Sequence, residues 1–335
     1  MDKFLNNVLL IDGSYMIQRA MNSVELRDLQ TRSGMASGGF YGFVRMMNKV
    51  IRKHIGHYPI LLWDQGHSPR RLDLYPNYKR HAERNAAPPI PGSADDQFLI
   101  DLRRQRQDVI DYTTALRIPN VRVPGWEGDD LIYLMTKVSN KCIVVSDDKD
   151  FIQLASDTVS IDRTMADEFI TNQTISDFHK YPQYEYYKAL IGDGSDNIPG
   201  VGTGLGGKSC EFIAKLMADY VKSSGTDKHD YYKIFEYLGT LKDDPILKSV
   251  RGLRNKWDSL IENMEVFAKN MYLMDFSYVE FPDGFQTLIE SYIRPTINQA
   301  PNVLNAYRYL GKYEIKGIDP SQTMQNLVGS GSILI

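Results

Sequence analysis

Three short, unbroken apolar runs in this chain each lead into aspartate. Val8–Ile11 (VLLI) meets Asp12, Ile60–Trp63 (ILLW) meets Asp64, and Cys142–Val145 (CIVV) is followed closely by Asp148 and Asp150. Runs this short and this apolar predict strands buried on both faces. Val121–Val123 reads as a further short strand, and residues 157–171 as a strand or hairpin. Helical periodicity fills the gaps. Phe40, Phe43, Val44, Met47, Val50 and Ile51 recur at helical spacing, and residues 95–117 form a charge-rich helical stretch. The alternation predicts an α/β fold: a mainly parallel central sheet with helices on both faces. Ligands of such sheets bind beyond the carboxyl ends of the strands, so the aspartates should line one edge.

The stretch GWEGDD adds Glu127, Asp129 and Asp130 just before the apolar run Leu131, Ile132, Leu134, Met135 and Val138. That places the three acids in the first turn of a helix. The helix dipole favours acids there, so capping alone accounts for them taken singly. Asp193 and Asp196, in GDGSDN, are likewise ordinary turn residues one at a time. Jointly they are harder to explain. Carboxylates that converge raise one another's pKa, and divalent cations offset this. A donor set of oxygens, without His or Cys in ligand spacing, favours Mg²⁺, with Mn²⁺ as a substitute. This many acids fits two ions ~4 Å apart, an arrangement suited to in-line displacement at phosphorus.

A basic stretch follows the second run. Arg70, Arg71, Lys79, Arg80 and Arg84 face only Asp73 and Glu83, with Tyr75 and Tyr78 interleaved. Cations neutralise phosphates and aromatic rings stack on unpaired bases; a solvated charged helix is the alternative. Pro88, Pro89, Pro91 and Gly92 predict an exposed connection.

The net charge of −3 argues mildly against nucleic-acid binding, but the acids and the bases cluster apart. No apolar run is long enough to span a bilayer, and the apolar part of the N-terminus is too short for a signal peptide. Cys142 and Cys210 lie far apart, as free thiols of a reducing compartment would, so a cytoplasmic location is expected. Gly202–Ser209 (GTGLGGKS) matches a phosphate-binding-loop pattern, but the preceding DNIPGV is a poor strand. The last third reads as helical, most clearly at Ile246–Val266 and Val303–Tyr309. With 335 residues, two domains are expected, 1–175 carrying the acids and 176–335 helical.

LIDGSYMIQRA, WDQG…RRLDLYPNYKRH, GWEGDD, VVSDDKDFIQL and GDGSDNIPGVG, in this order, resemble the 5′–3′ exonuclease/flap endonuclease family over residues 7–215. That family includes the 5′ nuclease domain of bacterial DNA polymerase I and stand-alone phage enzymes called ribonuclease H. The resemblance implies a first metal group of Asp12, Asp64, Glu127, Asp129 and Asp148. Asp130, Asp150, Asp193 and Asp196 would form or support a second, for two Mg²⁺ ions. Arg71 and Lys79 would contact the scissile phosphate at the base of a helical arch built from residues 80–100, and Tyr78 would stack on unpaired terminal bases. The family often has an arginine where this chain has Ala82, a place that Arg80 or Arg84 would fill. Asp147 is an extra acid and no ligand. Gly204, Gly206 and Lys208 would form a helix–hairpin–helix-like contact with the DNA backbone, with K⁺ bound there. The implied enzyme is a monomeric, phage-type 5′ nuclease of DNA replication, with no membrane association. It would hydrolyse 5′ flaps and 5′ ends of DNA and RNA–DNA hybrids, alongside a single-strand-binding protein or clamp.

Overall fold

The computed structural model describes residues 2–80, 90–175, 183–202, 204–328 and Leu334. Arg84, Ala82, Pro88 and Pro89, named above, lie outside the described residues, as does residue 203 of the glycine-rich stretch.

The apolar runs form the sheet. Its strands are β1 (Val8–Asp12), β2 (Tyr58–Leu62), β3 (Asn120–Val121), β4 (Cys142–Val145), β5 (Val159–Arg163) and β6 (Glu168–Ile170), in the order β3-β2-β1-β4-β5-β6. All neighbours are parallel except β5 and β6, which form an antiparallel hairpin. The order reverses direction at β1, so the crevice between β1 and β4 is the topological switch point, the place where doubly wound sheets bind ligands. Right-handed crossovers then send the helices of the two halves to opposite faces. Continuous apolar strands are needed because both faces are covered: Val8, Leu9, Leu10, Ile11, Ile60, Leu61 and Leu62 are fully buried.

The chain divides into two compact units. The first holds the sheet and comprises the described residues of 1–68, 87–172 and 279–335; the second comprises those of 69–86 and 173–278. This division differs from a single break at 175. Residues beyond Val279 return to the first unit because the helix Val303–Lys312 is amphipathic and its aromatic side meets the sheet unit's helices. Tyr313 stacks on Phe40 at 4.3 Å, and Lys312 and Tyr313 both reach the Asp108 carboxylate, at 2.6 and 2.5 Å.

The second unit packs the helices Tyr184–Ile191, Gly207–Ser224, Tyr231–Thr240 and Met264–Met274 around Trp257, Phe267, Ile213 and Met217. The helical stretch at Ile246–Val266 is made of 3₁₀ turns at Pro245–Ser249 and Arg254–Lys256, then short helices that meet at Asn263. Gly252, at φ 74°, interrupts the helical path between the two turns.

One packing contact links the fold to the site. A Cβ on Gly13, the first residue of the helix Gly13–Met21, would sit 2.8 Å from the Trp63 ring. That ring is fully buried, held by a 2.9 Å hydrogen bond from Nε1 to Asn120 and stacked against Phe43. Gly13→Ala therefore overpacks the sheet and should lower unfolding stability in urea by about 1–3 kcal/mol. An unchanged midpoint would mean that Trp63 is free to shift.

Candidate functional site

Asp12 ends β1 and caps the helix that follows, accepting from Tyr15 N at 2.9 Å. The register pairs Ile11 with Val145, so Ser146 stands beside Asp12 and its hydroxyl donates to Oδ2 at 3.1 Å. Ser146 Oγ also accepts from Asp148 N at 3.3 Å. Asp148 itself caps the 3₁₀ helix Lys149–Leu154, accepting from Asp150 N at 2.9 Å. Both acids thus flank the β1–β4 switch point.

Asp64 lies two residues past β2. Its carboxylate accepts from Gly128 N at 2.6 Å, and its own N–H donates to Ser14 Oγ at 2.9 Å. Two loops meet here on glycine: a Cβ on Gly66 would lie 3.2 Å from Gly125 Cα, and Gln65 exchanges backbone bonds with Gly125 and Trp126. This close approach seats GWEGDD against Asp64. Glu127 is the N-cap of the helix Gly128–Lys137 rather than part of its first turn, and it makes no side-chain capping bond. Glu127 and Asp130 are almost wholly buried, and carboxylate oxygens of Glu127, Asp129 and Asp130 lie within 4.8 Å of one another.

Burial pushes the Asp12 carboxyl up to about 8, and the charges of Asp64 and Asp148 push it the same way. Hydrogen bonds from Tyr15 and Ser146 offset only part of this. Desolvated carboxylates that repel one another, with oxygen as the donor throughout, fit a hard divalent cation and not a thiol- or imidazole-bound one.

Asp147 does something else. Its carboxylate accepts from Met165 N and Ala166 N in the β5–β6 turn at 3.1 and 3.0 Å. Three polar partners were not legible in the sequence. Ser14 and Ser146 hold the acids, and His67 approaches Glu127 at 3.4 Å. The register across β1 and β4 is what reveals Ser146.

The second unit carries the basic residues and the glycine-rich stretch. Arg71 is 3% exposed, and its Nε donates to Leu273 O at 2.9 Å. Tyr78 is 2% exposed, packed with Ile198 and Leu273. Both side chains are thus buried, Arg71 against the Leu273 carbonyl and Tyr78 against Ile198 and Leu273. An aromatic between two basic residues here serves packing: the Arg71 and Lys79 cations sit 5.7 and 5.1 Å from the Tyr78 ring centre. Lys79 is partly exposed and Arg80 exposed.

Asp193 and Asp196 sit on a tight loop. Burial raises the Asp193 carboxyl, but a 2.6 Å contact from Lys188 and bonds from Ser195 outweigh it and hold the group below the usual range. The Asp196 carboxylate accepts from the Tyr78 hydroxyl at 3.2 Å. Gly204 takes a positive φ of 74° and its carbonyl accepts from Lys256. Gly206 caps the helix Gly207–Ser224, with Lys208 exposed in its first turn. Among the described residues, turns and an isolated bridge, not a strand, precede this helix, so the phosphate-binding-loop pattern lacks its required context.

The family model for the 5′-3′ exonuclease N-terminal resolvase-like domain matches residues 7–180. The chain is 31% identical over 217 residues to the 5′-3′ exonuclease of Aquifex aeolicus, covering 63% of this chain and 70% of that one. It is 31% identical over 231 residues to DNA polymerase I of Mycobacterium tuberculosis, but spans only 24% of that protein. Among solved structures, the flap endonuclease of bacteriophage T5, in complex with DNA and metal ions, is 19% identical. Its TM-score is 0.59 over 92% of this chain and 99% of that one, a likeness of fold.

Proposed function

The chain belongs to the 5′-3′ exonuclease family, and from that premise we propose that it is a metal-dependent, structure-specific 5′ nuclease acting on DNA. The observation that carries this is geometric: Asp12 and Asp148 flank the switch point of the sheet, Asp64 is held by the Gly128 N–H, and carboxylate oxygens of Glu127, Asp129 and Asp130 lie within 4.8 Å of one another. Such a group of acids is costly to keep charged unless a cation is its partner. These acids would hold a pair of Mg²⁺ ions, with Mn²⁺ as a substitute, which would supply charge stabilisation at the phosphate and activate water at neutral pH.

The residues then divide the work. Asp12, Asp64, Glu127, Asp129 and Asp148 hold the metal edge, with Asp130, Asp150, Asp193 and Asp196 in support. Ser146 and the Gly128 N–H keep Asp12 and Asp64 aimed. Lys79 neutralises the phosphate being cut. Arg80, Gly204, Gly206 and Lys208 contact the backbone of the duplex without reading its sequence, and K⁺ binds at the glycine-rich turn. RNA primers on DNA are proposed as further substrates, which would place the enzyme in replication, working as a monomer beside a single-strand-binding protein or clamp. Among the described residues no helix is long and apolar enough to cross a membrane.

The test is a 5′-flap DNA labelled at both ends, incubated with wild type in Mg²⁺, with wild type in EDTA, and with Asp148→Asn in Mg²⁺. Cuts near the junction, or mononucleotides from the 5′ end, are expected only in the first. No product from this or from an RNA-primed duplex would overturn the reading.

A further inference from the structure

Asn270 lies on the helix Met264–Met274 and is fully buried. Its side-chain amide donates twice, to Ala189 O at 2.9 Å and to Pro199 O at 2.7 Å. These two carbonyls are the two stems of one loop. Ala189 is in the last turn of the helix Tyr184–Ile191, where carbonyls lose their intrahelical partners. Pro199 is where the chain returns. Between them the loop is drawn shut: Asp193 and Ile198 exchange both backbone bonds at 2.8 Å, and Val201 N donates to Leu190 O at 2.8 Å. Gly192 allows the closure, since a Cβ there would fall 2.5 Å from Ile198 O.

The tip of this loop holds the basic turn. Asp196 O accepts from Lys79 N at 2.9 Å. Asn197 Nδ2 donates to the carbonyls of Asn77 and Arg80, both at 2.9 Å. Lys79 sits at φ 53° and Asn197 at φ 59°, conformations that persist only when surrounding bonds impose them. The same helix supports the basic turn from its other end, because Leu273, three residues past Asn270, accepts the Arg71 bond. One helix thus fixes both the acid-bearing loop and the lysine-bearing turn.

We propose that Asn270 is a positioning residue for the nuclease reaction: its double clamp on Ala189 and Pro199 sets where Asp193, Asp196 and Lys79 stand. It touches neither metal nor DNA in this role. The inference rests on the functional reading above, since it assigns Asp193 and Asp196 to metal binding and Lys79 to the phosphate.

Two variants separate the role from mere folding. Asn270→Leu keeps the branched skeleton, with more bulk, and removes both bonds. Asn270→Asp keeps the shape and turns an acceptor toward two carbonyls, so it should be the more severe. Leu238→Ala, a cavity in the same core, controls for lost stability. For each protein, still folded by its urea midpoint, Mn²⁺ binding is followed by electron paramagnetic resonance without DNA. Flap cleavage is then measured against Mg²⁺ concentration. We expect Asn270→Leu to weaken the weaker Mn²⁺ site about tenfold, to raise the half-saturating Mg²⁺ by a similar factor, and to leave a cleavage deficit at saturating Mg²⁺. Leu238→Ala should lower the urea midpoint without moving either metal curve. If Asn270→Leu and Leu238→Ala shift the metal curves alike, or Asn270→Leu shifts neither, the inference is overturned while the nuclease reading stands. If wild type itself neither binds Mn²⁺ nor cuts a flap, both fall together.

Discussion

Asp12→Asn should cut flap cleavage by on the order of a thousandfold or more, the scale of losing a central electrostatic element of an active site, and yet stabilise the metal-free protein. Both effects come from one carboxylate. Its folded-state pKa is raised to about 8 from the ordinary 3.8, with burial the largest cause and Asp64 the next. Between those values the folded state binds the proton more tightly than the unfolded chain does. Wild-type stability in EDTA therefore falls as pH rises through this window and levels off above it, with a slope of at most about 1.4 kcal/mol per pH unit from this one group. Asparagine keeps the shape without the charge, its Oδ1 still accepting from Tyr15 N while its amide must donate to the Ser146 hydroxyl, so the variant should lack this slope and overtake wild type toward pH 8. Mg²⁺, binding only the folded form, should restore wild type and do little for the variant. Urea midpoints from pH 5 to 9, with EDTA or with Mg²⁺, read all of this. A variant that cuts flaps at the wild-type rate would sink the assignment of Asp12 to the metal.

Lys79→Ala should lower cleavage by about a hundredfold or more, while changing duplex affinity only severalfold. The split arises because the lysine ammonium acts on one phosphate, whereas duplex affinity is spread over many phosphate contacts. Backbone geometry makes a second substitution informative. Lys79 is held at φ 53° by its N–H bond to Asp196 O and by the bonds of Asn197 to the carbonyls on either side. A non-glycine residue there costs on the order of 1 kcal/mol. Lys79→Gly should then lose cleavage as Lys79→Ala does, but keep or improve stability. Lys79→Arg keeps the charge and should retain part of the rate. Wild-type cleavage by Lys79→Gly would show that the side chain is dispensable and that only the turn matters.

Tyr78 and Arg71 have surroundings that the sequence pattern does not show. A basic stretch with interleaved tyrosines is the pattern of a nucleic-acid face, and Lys79 and Arg80 do reach the surface. Tyr78 is buried with Ile198 and Leu273, and Arg71 Nε donates to the Leu273 carbonyl. Composition cannot distinguish an aromatic that awaits a base from one that already has an apolar partner. The helical stretch at Ile246–Val266 likewise hides breaks that only the structure shows. Periodicity survives across a break, and only the Gly252 backbone at φ 74° shows the chain turning.

The sequence by itself determined the sheet and its acidic edge. Strands covered on both faces must be continuously apolar, and the polar residues that follow such a run emerge at the strand's end, so Asp12, Asp64 and, behind Ser146, Asp148 were placed by pattern alone. It also determined the helix that carries Asp129 and Asp130. What only the tertiary structure decided is every contact between residues distant in the chain. Ser146 meets Asp12 through strand register, Glu127 comes to Asp64 through the paired glycines Gly66 and Gly125, and Asn270 reaches back 81 positions to Ala189. Local pattern records which face a residue takes. It does not record which partner waits there, because that is set by loop closure and packing over the whole chain.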